Sequence, residues 1–239
     1  MYTKLRQLRR KDAENIILRP EDYPNVQQLI LAPVVAIETG ELAGDFPIVW
    51  RATASTTELC VLTSLTGRGG FEPHAPRRHT RIRPLVVEAY PLSMAPAREA
   101  GYVLLIDEVP GSTGPVHFPI FEPEGSFTPE AQRRIDALKV FAGDLRRTQQ
   151  LSDLLQTAGL LAPWPVHLTI DKEDIQIKGL SILSAAPADQ AKLPALVEKA
   201  GYGLAELVTH HTLSLFNMKK LVDRHRLAGA VPNKGPSDE

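Results

Sequence analysis

The feature that most constrains the fold is Thr128-Pro129-Glu130, which reads as the start of a long helix. A threonine N-cap accepts a hydrogen bond from a free first-turn amide, and proline in the first turn loses no needed donor. Glutamate there meets the positive end of the helix dipole. From that start Ala131, Ile135, Leu138, Ala142, Leu145, Leu151, Leu155 and Ala158 recur at roughly helical spacing until Gly159 and Pro163 end the pattern. Gly143 falls inside the run, where glycine costs on the order of 1 kcal/mol relative to alanine, so one helix or two remains open.

Ahead of this helix the chain reads as sheet. Residues 29–37, 46–53, 58–65, 81–88 and 102–109 are apolar or β-branched runs of strand length, separated by Gly, Pro and Ser clusters. Pro47 and Pro84 lie near the starts of their runs, where a missing amide costs the ladder little. Residues 1–28 are polar and contain Pro20 and Pro24, so regular structure is expected from about Leu29. The proline and glycine density of 110–125 predicts a loop dividing the two halves.

Beyond the long helix, 166–170 and 175–183 flank Asp171-Lys172-Glu173-Asp174 as a hairpin would, and 188–200 predicts a short helix with Pro194 near its start. Residues 204–227 place Leu204, Val208, His211, Leu215, Met218 and Val222 along one helical stripe. The expected class is α+β: a mixed or antiparallel sheet core with a long helix in the C-terminal half and additional helices. We divide it into an N-terminal extension (1–28), a single domain (29–227) and a disordered tail (228–239).

With 43% apolar and 23% charged residues the chain has a globular balance, and a net charge of −1 gives no long-range field to gather nucleic acid or an anionic membrane. Cys60, the single cysteine, lies in an apolar run and is expected to be core filler, which leaves no disulfide or multi-cysteine zinc site. The basic N-terminus lacks the apolar stretch of a secretory signal, and no run approaches the ~20 apolar residues of a membrane-spanning helix. These features lead us to expect a soluble, cytoplasmic protein that neither inserts into membranes nor binds nucleic acid.

Two constellations stand out. Arg77, Arg78, His79, Arg81 and Arg83 concentrate positive charge that could clamp a carboxylate or phosphate through guanidinium forks, and sparse nearby aromatics argue against stacking of single-stranded nucleic acid. His74 and His79 have no carboxylate or cysteine at ligand spacing, so no metal is assigned. On the last helix, His210, His211, Ser214 and Asn217 share a face and form a candidate polar cluster, although His211 falls on the apolar stripe, where a hydrogen-bonded structural imidazole is the expected role. Nothing in the sequence supplies an orienting base or oxyanion site for Ser214. Glu38, Glu41, Asp107 and Glu108 are read as solvated strand ends, and Trp50, Phe46 and Trp164 as core or interface anchors. Gly67-Arg68-Gly69-Gly70 lacks the lysine and hydroxyl residue of a phosphate-binding loop, and no cofactor is expected.

Ala32-Pro33-Val34-Val35-Ala36-Ile37-Glu38 and Asp45-Phe46-Pro47-Ile48-Val49-Trp50 resemble the opening signature of the SapC family of bacterial proteins. The resemblance continues at Tyr90-Pro91-Leu92, Leu105-Ile106-Asp107-Glu108, Pro119-Ile120-Phe121-Glu122-Pro123-Glu124-Gly125, Gly159-Leu160-Leu161 with Trp164, and His211-Thr212-Leu213-Ser214-Leu215-Phe216-Asn217, covering roughly residues 29–223. Glu88 and Ala89 stand where the family pattern carries paired arginines. The family name implies a link to bacterial surface-layer loci, and similar proteins lie beside halogenase-like, cupin-like and TonB-receptor genes. The expected function is a non-catalytic accessory or binding protein for a protein, peptide or surface-assembly component, recognised through loops 66–80 and 110–127. The alternative is a cofactor-dependent enzyme or accessory subunit in a peptide-tailoring or oxygenase/halogenase-linked pathway.

Overall fold

Ile48, Val49 and Trp50 are consecutive and all fully buried, as a strand covered on both faces requires. The computed structural model describes residues 1–10, 16–54, 56–68, 70–71, 82–97, 101–108 and 116–230. Its strands are β1 (Leu5–Gln7), β2 (Ile16–Leu18), β3 (Leu31–Pro33), β4 (Ile48–Ala52), β5 (Thr57–Leu62), β6 (Leu92–Pro96), β7 (Tyr102–Asp107), β8 (His117–Pro119), β9 (Leu161–Pro163), β10 (Val166–Ile170), β11 (Glu173–Ile177) and β12 (Leu180–Leu183). Its helices are α1 (Pro24–Gln27), α2 (Thr39–Leu42), α3 (Leu85–Ala89), α4 (Pro129–Thr157), α5 (Pro187–Gln190), α6 (Leu193–Ala200), α7 (Tyr202–Ser214) and α8 (Met218–Ala230). The fold is α+β, and every strand pair among the described residues is antiparallel.

A five-stranded sheet ordered β3-β5-β4-β12-β9 forms the centre. The two-residue period of a strand sorts its side chains into two cores. Ile48, Trp50, Leu59 and Val61 pack with Leu151 and Leu155 of α4 and Leu204 and Leu207 of α7. On the other face Val49, Cys60 and Leu62 meet Val166, Ile170, Ile175 and Ile177 of the β10–β11 hairpin and Leu221 of α8. Asp171 and Lys172 both have positive φ, the backbone that a two-residue hairpin loop demands.

A smaller sheet, β1-β7-β6, and the β2–β8 ribbon surround a third core. There Ile17, Leu92, Ile106 and Ile120 pack on Ala131, Ile135 and Leu138. Helix α4 therefore joins two cores, its first turns serving the small sheet and its last turns the large one. Thr128 caps it by accepting from the amide of Ala131, it runs unbroken through Gly143, and Gly159 follows its end at φ 67.

Several expectations are corrected. Regular structure begins well before Leu29: β1 pairs with β7, β2 pairs with β8, and Ile17, Tyr23 and Val26 are buried. The described part of the 81–88 run, residues 82–88, is not a strand, since Leu85–Ala89 is helical after Pro84 and buries Val86, Val87 and Ala89, so packing overrides β-branched propensity. Only Leu31–Pro33 of the 29–37 run is strand. Ala36–Glu38 turns into a 3-10 helix leading to α2, because Asp144 and Thr148 of α4 accept the amides of Ile37 and Ala36 at 2.9 and 2.7 Å. The 204–227 helix is divided into α7 and α8 by a 3-10 turn at Leu215–Asn217, and α8 carries residues 228–230 of the expected tail, while 231–239 lie outside the described residues.

Candidate functional site

Arg77, Arg78, His79 and Arg81, like His74, lie outside the described residues. Arg83 is described, and its guanidinium is committed to Glu21 at 2.8 Å and Glu88 at 3.3 Å. Glu88 also binds Arg133, so the glutamate joins two arginines across α3 and α4.

The helical polar residues share a face without converging on a common point. His210 Nδ1 lies 2.9 Å from Thr39 Oγ1, and Asn217 donates to the Ala43 carbonyl at 2.7 Å. Ser214 Oγ accepts from the Ile48 amide at 2.8 Å and donates to the His211 carbonyl at 2.6 Å. His211 Nδ1–H donates to the Ile48 carbonyl at 2.8 Å, and the Leu183 amide donates to Nε2 at 3.2 Å. Pairing between β4 and β12 stops at Trp50 and Ser181; the next hydrogen-bonded rung would join Ile48 to Leu183, and the imidazole occupies it. Burial lowers the His211 pKa to about 4. Both ring nitrogens are thus spent on the sheet, with the Trp50 ring 4.8 Å away and the Trp50 indole donating to Ser152 at 3.1 Å.

Two of the carboxylates read as solvated strand ends are buried instead. Asp107 accepts from the amides of Thr3 and Lys4, the latter at 2.6 Å, and from the Tyr90 hydroxyl at 2.7 Å. Tyr90 in turn accepts from Asn25 at 3.1 Å, and burial raises its phenol above the ordinary value. Glu38 accepts from the amides of Val35 at 2.9 Å and Leu85 at 2.8 Å, and burial pushes its pKa up to about 7. Arg134, wholly buried, donates to the carbonyls of Tyr90 and Leu18 and pairs with Glu130 at 3.0 Å. Each of these charges satisfies backbone or a neighbouring charge.

Among the described residues, one feature with room for a ligand is a groove of about 660 Å³ along α4. Its floor is Leu138, Phe141, Ala142 and Leu145; one wall is Ser93, Met94 and Pro96 of β6 with Tyr102 of β7, and the other includes Pro33 and Glu58. That size lies within the ~300–1,000 Å³ of ordinary ligand pockets. Tyr2 closes one part of it, its hydroxyl donating to the Leu92 carbonyl at 3.0 Å. Arg146 stands exposed at the rim, with no hydrogen-bond or ion-pair partner among the described residues. Glu58 is bonded to Arg51, and Gln149 donates to the Thr57 carbonyl at 3.3 Å, so Arg146 is the polar lining group with unspent charge. A smaller hollow of about 410 Å³ lies beside the stacked Phe121 and Phe127. Among the described residues no group of three or more His, Cys, Asp or Glu is placed to hold a metal ion.

The sequence reading missed this groove. Its one legible trace was the helical spacing of Leu138, Ala142 and Leu145, whose α4 surface would be expected to pack completely. A family model, SapC, matches residues 8–221. The chain belongs to the SapC family. The match begins earlier than the signature at Ala32 and takes in β2, α1 and the buried Tyr23, so β2 lies within the SapC pattern while β1 precedes it. All the described groove-lining residues except Tyr2 fall inside the SapC match. No curated protein and no solved structure matches this SapC chain. Among the described residues no helix is long and apolar enough to cross a membrane.

Proposed function

We propose that this SapC-family protein is a non-catalytic accessory protein of the bacterial cytoplasm that binds a protein or peptide, and that its recognition surface is the α4 groove. The observation that carries the reading is the groove itself: a hollow of about 660 Å³ with an apolar floor and one uncommitted cation, Arg146, at its edge. Apolar lining with a few placed polar groups is the composition of binding pockets. Three buried ionisable groups outside the groove support a binding role in a second way, because His211, Asp107 and Arg134 are engaged in holding strands and segments together.

The reading replaces the loops 66–80 and 110–127 as the recognition surface; parts of both lie outside the described residues. It is tested with 1-anilinonaphthalene-8-sulfonate, a probe that joins apolar rings to an anion. The wild-type protein should bind one dye with a saturable, blue-shifted rise in emission. Ala142→Trp, which fills the floor, should abolish that signal, and Arg146→Gln should weaken it severalfold. Undiminished dye binding by Ala142→Trp would sink the assignment.

A further inference from the structure

We infer that the occupant of the groove is an extended polypeptide segment that adds as a fourth strand along the outer edge of β6 and sets a carboxylate against Arg146. This inference rests on the groove reading and names its ligand class.

Strand β6 is the edge of the sheet β1-β7-β6, and its register fixes which backbone groups are used. The Asp107 amide donates to the Pro91 carbonyl and the Ala97 amide to the Gly101 carbonyl, so Pro91, Ser93, Ala95 and Ala97 face β7. Alternation then turns the backbone of Leu92, Met94 and Pro96 outward. The Leu92 carbonyl is taken by Tyr2. The Met94 amide, the Met94 carbonyl and the Pro96 carbonyl have no partner among the described residues. An unpaired edge is a template for another strand, and such addition gives affinity through the main chain while alternate side chains enter pockets.

Met94 and Pro96 also line the groove, which places the open edge beside the apolar floor of Leu138, Phe141 and Leu145. An extended segment along β6 directs every second side chain to one face, so an alternating apolar sequence meets that floor. Arg146 at the rim supplies charge complementarity for a terminal or side-chain carboxylate through its planar fork. A fatty acid would satisfy the floor and Arg146 but leave the amide and carbonyls of β6 unused, which is why we assign a polypeptide.

The test is selection of random octapeptides with free C-terminal carboxylates on the immobilised full-length protein, with Ala142→Trp as the blocked control. Enriched peptides should alternate apolar residues, lose about tenfold in affinity as C-terminal amides, and lose that acid-to-amide difference on Arg146→Gln. Methylating their backbone nitrogens one at a time should abolish binding at alternate positions only, the signature of strand pairing, and this readout requires no change in the protein. Peptide enrichment equal on wild type and Ala142→Trp would mean that the peptides bind elsewhere and would overturn the groove reading with the inference. Decanoate displacing the dye from wild type, with no peptide enriched over the control, would leave the groove standing and overturn the polypeptide.

Discussion

The imidazole of His211 holds the carbonyl of Ile48 at 2.8 Å, and through its other nitrogen it also receives the amide of Leu183, so a side chain from α7 completes a rung between two strands. Replacing it with His211→Phe keeps the ring and strands both backbone groups without partners. The expected loss is about 2–4 kcal/mol, measured by urea denaturation at neutral pH.

Glu38 and His211 pull stability in opposite directions with pH. Burial raises Glu38 from 4.5 to about 7, so the folded protein keeps a proton that the unfolded chain releases, and this contribution falls as pH rises through that window. Burial lowers His211 from 6.5 to about 4, so the unfolded chain takes up a proton first, and this contribution falls as pH drops through its window. Between about 4.5 and 6.5 the two slopes oppose. In Glu38→Gln stability should rise with pH across that range, and in His211→Phe it should fall, each read from denaturation midpoints at half-unit steps. Identical slopes in both variants would refute the pairing.

Asp107 anchors the start of the chain. Asp107→Asn turns one acceptor oxygen into a donor facing the amides of Thr3 and Lys4 or the Tyr90 hydroxyl, with an expected cost of about 2–4 kcal/mol. Hydrogen exchange at Thr3 and Lys4 should accelerate ahead of the rest of the protein. Tyr90→Phe should cost less, about 1–2 kcal/mol, because the carboxylate keeps its amides.

Arg134 is buried entirely and donates to two carbonyls from separate segments, those of Tyr90 and Leu18. Arg134→Ala should destabilise by about 3–5 kcal/mol, since it opens a cavity, orphans both carbonyls and leaves Glu130 with Arg133 alone. Arg134→Met should recover the packing share of that loss and no more, as thermal unfolding would show.

Elements whose information is local were legible in the sequence. Thr128-Pro129-Glu130 and the spacing after it specify α4, and the polar Asp171–Asp174 stretch between apolar runs announces the β10–β11 hairpin, although Glu173 and Asp174 belong to β11 and the expected 175–183 strand divides into β11 and β12. The stretch from Pro84 to Pro96 was not, because Val86 and Val87 carry strand propensity while their burial beside α4 makes them helical, and β6 is bounded by prolines that weaken its signal. The burial of His211 followed from its place on an apolar stripe. The groove did not follow from the spacing of Leu138, Ala142 and Leu145 alone: Pro33, Glu58, Met94 and Arg146 belong to segments far apart in sequence, and no spacing rule links them. Arg134 escaped notice and Asp107 was misread as a solvated strand end for the same reason, their partners including backbone atoms of distant segments.

The close ring contact between Trp50 and His211 gives the protein an internal optical gauge. An imidazolium is a far better quencher of indole emission than a neutral imidazole, and Trp164, the second tryptophan, belongs to the core on the opposite face of the sheet. Fluorescence that dims on acidification, and keeps its intensity in His211→Phe, would therefore follow the charge of a single buried side chain while the chain is still folded.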